Sequence, residues 1–198
     1  LNKLMFREYD IRGIWNEDIT EEISYYIGRA YATKLLSLKK NKMIVGYDNR
    51  LSSPIIEKNL VKGLTDGGVD VVRLGLVTTP MYYYAWDKLN IHCGIMITAS
   101  HNPKEYNGFK MSYNGIHNCF GNEVAELYYI ILNGIYSKGN GSITDANIKE
   151  DYIKMINSHI NMGSNKLKVI YDCGNGTTSI VAKDIFVSND NIEYIPLP

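Results

Sequence analysis

The sequence predicts a three-layer α/β domain with a mixed, largely parallel sheet, on three observations. Short apolar runs at residues 43–47, 69–74 and 93–97 are separated by longer stretches with helical spacing, and that alternation marks an α/β layer fold. Each run ends in small, polar or glycine residues, as a buried strand does on entering a loop. Two of the intervening stretches open on Ser53-Pro54 and Thr79-Pro80, where proline fits a first helical turn.

In order, residues 5–13 read M-F-R-E-Y-D-I-R-G and predict a short strand running into a turn at Gly13. Its polar set is Arg7, Tyr9, Asp10 and Arg12, which taken alone is compatible with a solvated Asp–Arg pair. Thr20 is placed to cap a helix, with Glu21 and Glu22 against its N-terminal dipole. Ile23, Tyr26, Ile27, Ala30 and Leu35 supply that helix with an apolar face, and Lys39 and Lys40 suit its far end. The strand at 43–47 leads into Asp48-Asn49-Arg50. Ser53 then reads as the cap of a helix that runs to about Asp66 and stops at Gly67-Gly68. This order puts Asp48, Arg50 and the Ser52 and Ser53 amides at the carboxyl edge of the sheet, where Asp48 and Arg50 suit a loop-shaping ion pair and a ligand contact equally.

After the strand at 69–74 comes a helix over 81–89, then the strand at 93–97. It stops at Thr98-Ala99-Ser100-His101-Asn102-Pro103, where small and polar residues with a proline force a loop. Ligands of α/β sheets bind beyond such carboxyl ends. Around Ser100 lie His101, Asn102, Lys104 and Lys110, donors and cations suited to a phosphate. A strand over 108–113, a turn at Asn114-Gly115 and an amphipathic helix over 122–132 follow. Residues 134–144 read as a connector and 145–162 as a helix. A strand at 166–171 then leads through D-C-G-N-G to a helix over 178–186 and a strand from 192.

The stretch T-A-S-H-N-P-x-x-Y-N-G-F-K resembles the phosphoserine loop of the α-D-phosphohexomutases. Its form is most similar to the phosphomannomutase/phosphoglucomutase branch of that superfamily, and F-R-x-Y-D-I-R-G is similar to the opening motif of the same branch. The resemblance implies an isomerase that interconverts hexose 1-phosphate and hexose 6-phosphate through a phosphoserine enzyme and a 1,6-bisphosphate intermediate. It makes Ser100 the phosphate carrier and, through its phosphate, a ligand of Mg²⁺. Arg12 and Lys110 would offset charge on the transferring group, and Lys110 is also a candidate to accept or donate a proton. His101 would position the phosphoserine or share the proton transfer, and Asn102 would shape the loop. Tyr9, Arg12, Lys110 and Asn102 form the expected substrate side. Glucose 1,6-bisphosphate, or its mannose counterpart, is the expected activator. G-x-D-x-R-x-S recurs in the family, where the arginine helps to organise the active-site side of the first domain.

D-C-G-N-G marks the opening of the family's second domain. The resemblance therefore divides the chain into a first domain at 1–146 and an incomplete second domain at 147–198. The family's acidic metal loop, D-x-D-x-D-R, is absent, and no D-x-D occurs in the chain. Mg²⁺ asks for several oxygen ligands. The remaining ligands and the sugar-recognition loops are expected in a C-terminal remainder of the same protein, and the 198-residue piece alone is expected to be inactive.

Composition narrows the alternatives. Lys and Arg number 21 and Asp and Glu number 21, for a net charge of zero, so no global field draws nucleic acid or an anionic membrane. No apolar run approaches the roughly 20 residues of a membrane-spanning helix. Three cysteines that cannot pair evenly, with no secretory segment at the start, point to a cytoplasmic location. A serine hydrolase is disfavoured because Ser100 and His101 are adjacent and no G-x-S-x-G elbow is present. A zinc module built on His92-Cys93 and His117-x-Cys119 lacks the usual ligand spacing. A non-catalytic phosphosugar-binding or scaffold protein with a mutase-like domain is the remaining alternative.

Overall fold

The computed structural model describes residues 1–197 of the 198-residue chain and divides into two compact units, Leu1–Ala146 and the stretch from Asn147 onward. In the first unit a six-stranded sheet forms from β1 (Ile11–Ile14), β2 (Lys42–Tyr47), β3 (Asp70–Leu76), β4 (Gly94–Ile97), β5 (Tyr106–Ser112) and β6 (Ile143–Asp145). Its spatial order is β1-β5-β4-β2-β3-β6. β2 runs parallel to both β3 and β4, and β6 runs parallel to β3. β5 is antiparallel to β4 and to β1. The helices are α1 (Glu21–Ser37), α2 (Ser53–Asp66), α3 (Thr79–Lys88) and α4 (Asn122–Asn133).

Strand alternation places Met43, Val45, Val71, Ile95, Ile97, Phe109 and Met111 in one buried cluster with residues of α1, α2 and α4. Ile44, Val72 and Met96 are buried on the opposite face, which α3 covers with Met81, Tyr82 and Ala85. The result is the expected α/β/α layering with a mixed, mostly parallel sheet. Helices α1 and α2 cross almost in backbone contact. A Cβ on Gly28 would lie 2.3 Å from the Leu60 carbonyl oxygen, and one on Gly63 would lie 2.1 Å from that of Tyr25. Only glycine permits that approach.

Several elements differ from the sequence reading. Residues 5–13 are not one strand: a 3-10 turn occupies Lys3–Met5 and β1 begins at Ile11. The Arg7 amide donates to the Asp10 carbonyl at 2.9 Å, closing a turn where a strand was expected, and the strand runs through Gly13 rather than stopping there. Ser53 is not the cap of α2. Its hydroxyl donates to Asp48 Oδ1 at 2.9 Å, and Ser52, the residue at the cap position, makes no capping hydrogen bond. Thr20 caps α1 as expected, accepting from the Ile23 amide at 3.1 Å.

The connector at 134–144 runs into the edge strand β6. β6 shows no apolar alternation because all three of its residues are exposed. It is held instead by Arg73, whose Nε and Nη2 donate to Asp145 at 2.7 and 3.0 Å, and by Asp70, which accepts from the Ser142 amide and hydroxyl at 2.7 Å each.

In the second unit α5 (Lys149–Ser158) is shorter than the predicted 145–162. β7 (Leu167–Tyr171) pairs in parallel with β8 (Ile192–Pro196). The helix predicted over 178–186 is a 3-10 turn at Thr177–Ile180 followed by α6 (Ala182–Val187). Among the described residues no helix is long and apolar enough to cross a membrane.

Candidate active site

The end of β4 delivers the chain into residues 98–105 at the carboxyl edge of the sheet. Ala99 is fully buried beneath this loop while Ser100 is exposed at its tip. Ser100 has φ +56°, a left-handed conformation that a residue with a Cβ adopts only when its surroundings impose it. Two contacts within the loop do so. The Ser100 amide donates to the buried Thr98 Oγ1 at 2.9 Å, and the Asn102 amide donates to the Ala99 carbonyl at 3.1 Å. The Ser100 hydroxyl lies 3.3 Å from His101 Nδ1.

Two arginines hold the loop from outside. Arg50, just past the end of β2, donates through Nη1 to the carbonyls of Pro103 and Tyr106 at 2.6 and 3.0 Å. Through Nη2 it donates to those of Ser100 and Asn102 at 3.1 and 2.7 Å. Its Nε faces Asp48 Oδ2 at 3.3 Å. Asp48 Oδ1 also accepts from the Arg50 amide at 3.2 Å and from the Ser53 hydroxyl. Asn107 is fully buried and completes this support, donating to Ser52 Oγ and Ser53 Oγ at 2.8 and 3.0 Å. A line of hydrogen bonds thus runs from β5 through the start of α2 to the serine loop.

Arg12 comes from the other side, on β1. Its Nη1 donates to the Ala99 carbonyl at 3.2 Å and to Asn102 Oδ1 at 2.5 Å. Its Nε and Nη2 both meet Asp10 Oδ2 at 2.8 Å. Lys110, on β5, places Nζ 3.9 Å from the same Asp10 oxygen. The register puts Arg12 opposite Gly108, so two cations from neighbouring strands meet one carboxylate.

Of the residues singled out in the sequence, Arg12, Asn102 and Lys110 are joined in this web, and Ser100 and His101 sit above it. Tyr9 is 68% exposed on the turn before β1 and is not among the residues these contacts join. The sequence reading missed Asp10, Thr98 and Asn107 as parts of the site and left Asp48 undecided. One signal was available: Tyr-Asp-x-Arg occurs twice, at 9–12 and at 47–50. In both copies the aspartate holds the arginine that reaches the loop. Among the described residues no three His, Cys, Asp or Glu side chains come together to hold a metal. The described residues thus bring together neither a carboxylate set for Mg²⁺ nor the ligands of the zinc alternative. Cys93 and Cys119 are buried as free thiols, and burial pushes both up, Cys119 more strongly.

The comparisons with known proteins agree on one family. Residues 3–134 match the family model described as phosphoglucomutase/phosphomannomutase, alpha/beta/alpha domain I. A phosphomannomutase/phosphoglucomutase of Pseudomonas syringae pv. tomato is 41% identical over 182 residues, which are 91% of this chain and 38% of that protein. A phosphoglucomutase of Neisseria meningitidis serogroup B is 38% identical over 184 residues, 92% of this chain and 40% of that protein. The crystal structure of a phosphoglucomutase/phosphomannomutase family protein from Burkholderia thailandensis superposes with TM-score 0.92 at 31% identity. That match covers 100% of this chain and 44% of that one. The chain spans about two fifths of the length of the curated relatives it matches.

Proposed function

The chain belongs to the phosphoglucomutase/phosphomannomutase family, and on that premise we propose that its protein is a phosphosugar mutase. It interconverts the 1-phosphate and 6-phosphate of glucose, mannose or both, and Ser100 is the residue that carries the phosphoryl group. The observation that carries the reading is the presentation of Ser100, an exposed hydroxyl in a left-handed backbone on a loop pinned from both sides by guanidinium groups. Phosphoryl transfer is mainly alignment and charge neutralisation. A carrier residue whose backbone is fixed, on a loop that Arg12 and Arg50 hold, suits both needs.

In this scheme the phosphoryl group leaves Ser100 Oγ for the free hydroxyl of a hexose 1-phosphate. The new P–O bond forms on the sugar as the P–Oγ bond breaks, the sugar hydroxyl gives up its proton and Oγ regains one. The 1,6-bisphosphate turns over, and Ser100 takes back the phosphate from the other end. His101 Nδ1, within reach of Oγ, and Lys110 are the candidates for the proton. Arg12 and Lys110 stand against the developing charge. Mg²⁺ would be held by the phosphate on Ser100 together with ligands from the C-terminal remainder of the protein, and it would offset charge on the transferring group.

Incubation of the intact protein with labelled glucose 1,6-bisphosphate should place phosphate on Ser100, and Ser100→Ala should abolish the label. Undiminished labelling of that variant ends the assignment. The 198-residue chain by itself should show no turnover of glucose 1-phosphate.

A further inference from the structure

We propose that Asp10 is a positioning residue of the mutase site, the shared counter-ion that sets where Arg12 and Lys110 stand relative to Ser100. The inference rests on the phosphoryl-transfer reading above. Asp10 is only 6% exposed, and a buried carboxylate needs cationic or hydrogen-bonding partners. It finds two, on two strands, through one oxygen: Arg12 Nε and Nη2 at 2.8 Å each and Lys110 Nζ at 3.9 Å.

The consequence lies in the donor count of Arg12. A guanidinium has five N–H groups. The Nε hydrogen is donated to Asp10, whose Oδ2 also lies 2.8 Å from Nη2, and both hydrogens on Nη1 are taken by the Ala99 carbonyl and Asn102 Oδ1. Only the Nη2 hydrogens remain for a ligand. By holding Nε, Asp10 fixes the plane of the guanidinium and therefore where the Nη2 edge points, while Nη1 stays on the loop. Lys110 has three donors on a flexible stem, and the attraction of Asp10 is what draws it towards the same place.

Asp10 also lowers the positive charge of the site. Its removal makes the ground state more attractive to a phosphate, because two unit charges near 4 Å interact appreciably outside bulk water. At the same time it frees both cations from their aligned positions. Asp10→Asn in the intact protein should therefore lower kcat for glucose 1-phosphate about 10- to 100-fold, the range expected of small misplacements in a reacting site. KM should stay the same or fall, and Asp10→Glu should recover part of kcat. A carboxylate that merely stabilised the fold would lower the yield of folded protein without this split.

A folded Asp10→Asn enzyme with kcat within twofold of the parent overturns the proposal, as does a raised KM with kcat intact. If Asp10→Asn does not fold, Asp10→Glu decides. It keeps the charge and displaces it by one methylene, so kcat should fall at constant KM, and an unchanged kcat overturns the proposal. Absence of any turnover by the unsubstituted intact protein would overturn the mutase reading itself, and the role of Asp10 with it. Turnover that is indifferent to Asp10 would overturn the role of Asp10 alone.

Discussion

The two Tyr-Asp-x-Arg segments use the same side chains for different work. In the second, Arg50 follows β2 and spends four hydrogen bonds on backbone carbonyls of the serine loop. In the first, Arg12 lies within β1 and touches the loop at one carbonyl and one side-chain oxygen, while its aspartate also faces Lys110. Arg50 sets the path of the loop backbone, and Arg12 sets the charged groups around its tip. The comparison teaches that the position of an ion pair relative to its strand decides whether it serves as scaffold or as site.

Stability separates the two ion pairs first. Arg50→Met leaves Asp48 buried with hydrogen bonds but no cation, and removing one partner of a buried pair costs about 3–5 kcal/mol. Arg12→Met should cost less, about 1–2 kcal/mol, because Asp10 keeps Lys110. Urea unfolding of the two variants measures the order, and an Arg12 variant less stable than the Arg50 variant would reverse the assignment of scaffold and site.

The loop was legible in the sequence because its chemistry is local. A buried run, then small and polar residues with a proline, places Ser100 beyond a strand whatever the rest of the chain does. The ties of the two arginines were not legible, because their partners lie 87 and 90 residues away for Arg12 and 50 to 56 for Arg50. No periodicity connects such distances. Ser53 misled for a related reason: serine before proline is a good cap on local grounds, yet its hydroxyl is engaged by Asp48 and Asn107. β6 escaped notice because an exposed edge strand need not alternate, and two ionic or polar contacts fix it in place of apolar burial. β1 was displaced by a turn that one backbone hydrogen bond creates, a contact with no residue preference of its own.

Asp48 can also be set against a second carboxylate on the same stretch of chain. Asp48 and Glu57 are equally buried, at 8% exposure. Asp48 is paired with Arg50 and Ser53, whereas Glu57 Oε1 has no hydrogen-bond partner. Burial pushes Glu57 up to about 7, against the pull of Arg73 and with a small push from Asp145. Between its ordinary value of 4.5 and about 7 the folded protein keeps a proton that the unfolded chain has released. Stability from this group is therefore complete below pH 4.5 and is lost as pH rises to about 7, by roughly 2–3 kcal/mol. Glu57→Gln should flatten that slope and exceed the parent in stability at pH 8. Urea midpoints at pH 5 and pH 8 test it, and a parallel fall in both proteins would show that Glu57 is not the source.

The smallest effect separates what the arginines do from what the loop does for itself. Thr98 is buried and its hydroxyl accepts from the Ser100 amide, so it acts on the residue of this loop whose backbone is left-handed. Thr98→Val keeps the shape and removes the acceptor. Since Ser100 is exposed, water can satisfy part of the freed amide, and the loss should be about 1 kcal/mol, a fall in Tm on the order of 3 °C. Neither arginine contact need change. If the loop's own hydrogen bond fixes the carrier, phosphate incorporation should fall well beyond what that small loss of stability explains, and Thr98→Ser should restore it. Unchanged incorporation in Thr98→Val would mean that Arg12 and Arg50 hold Ser100 in place unaided.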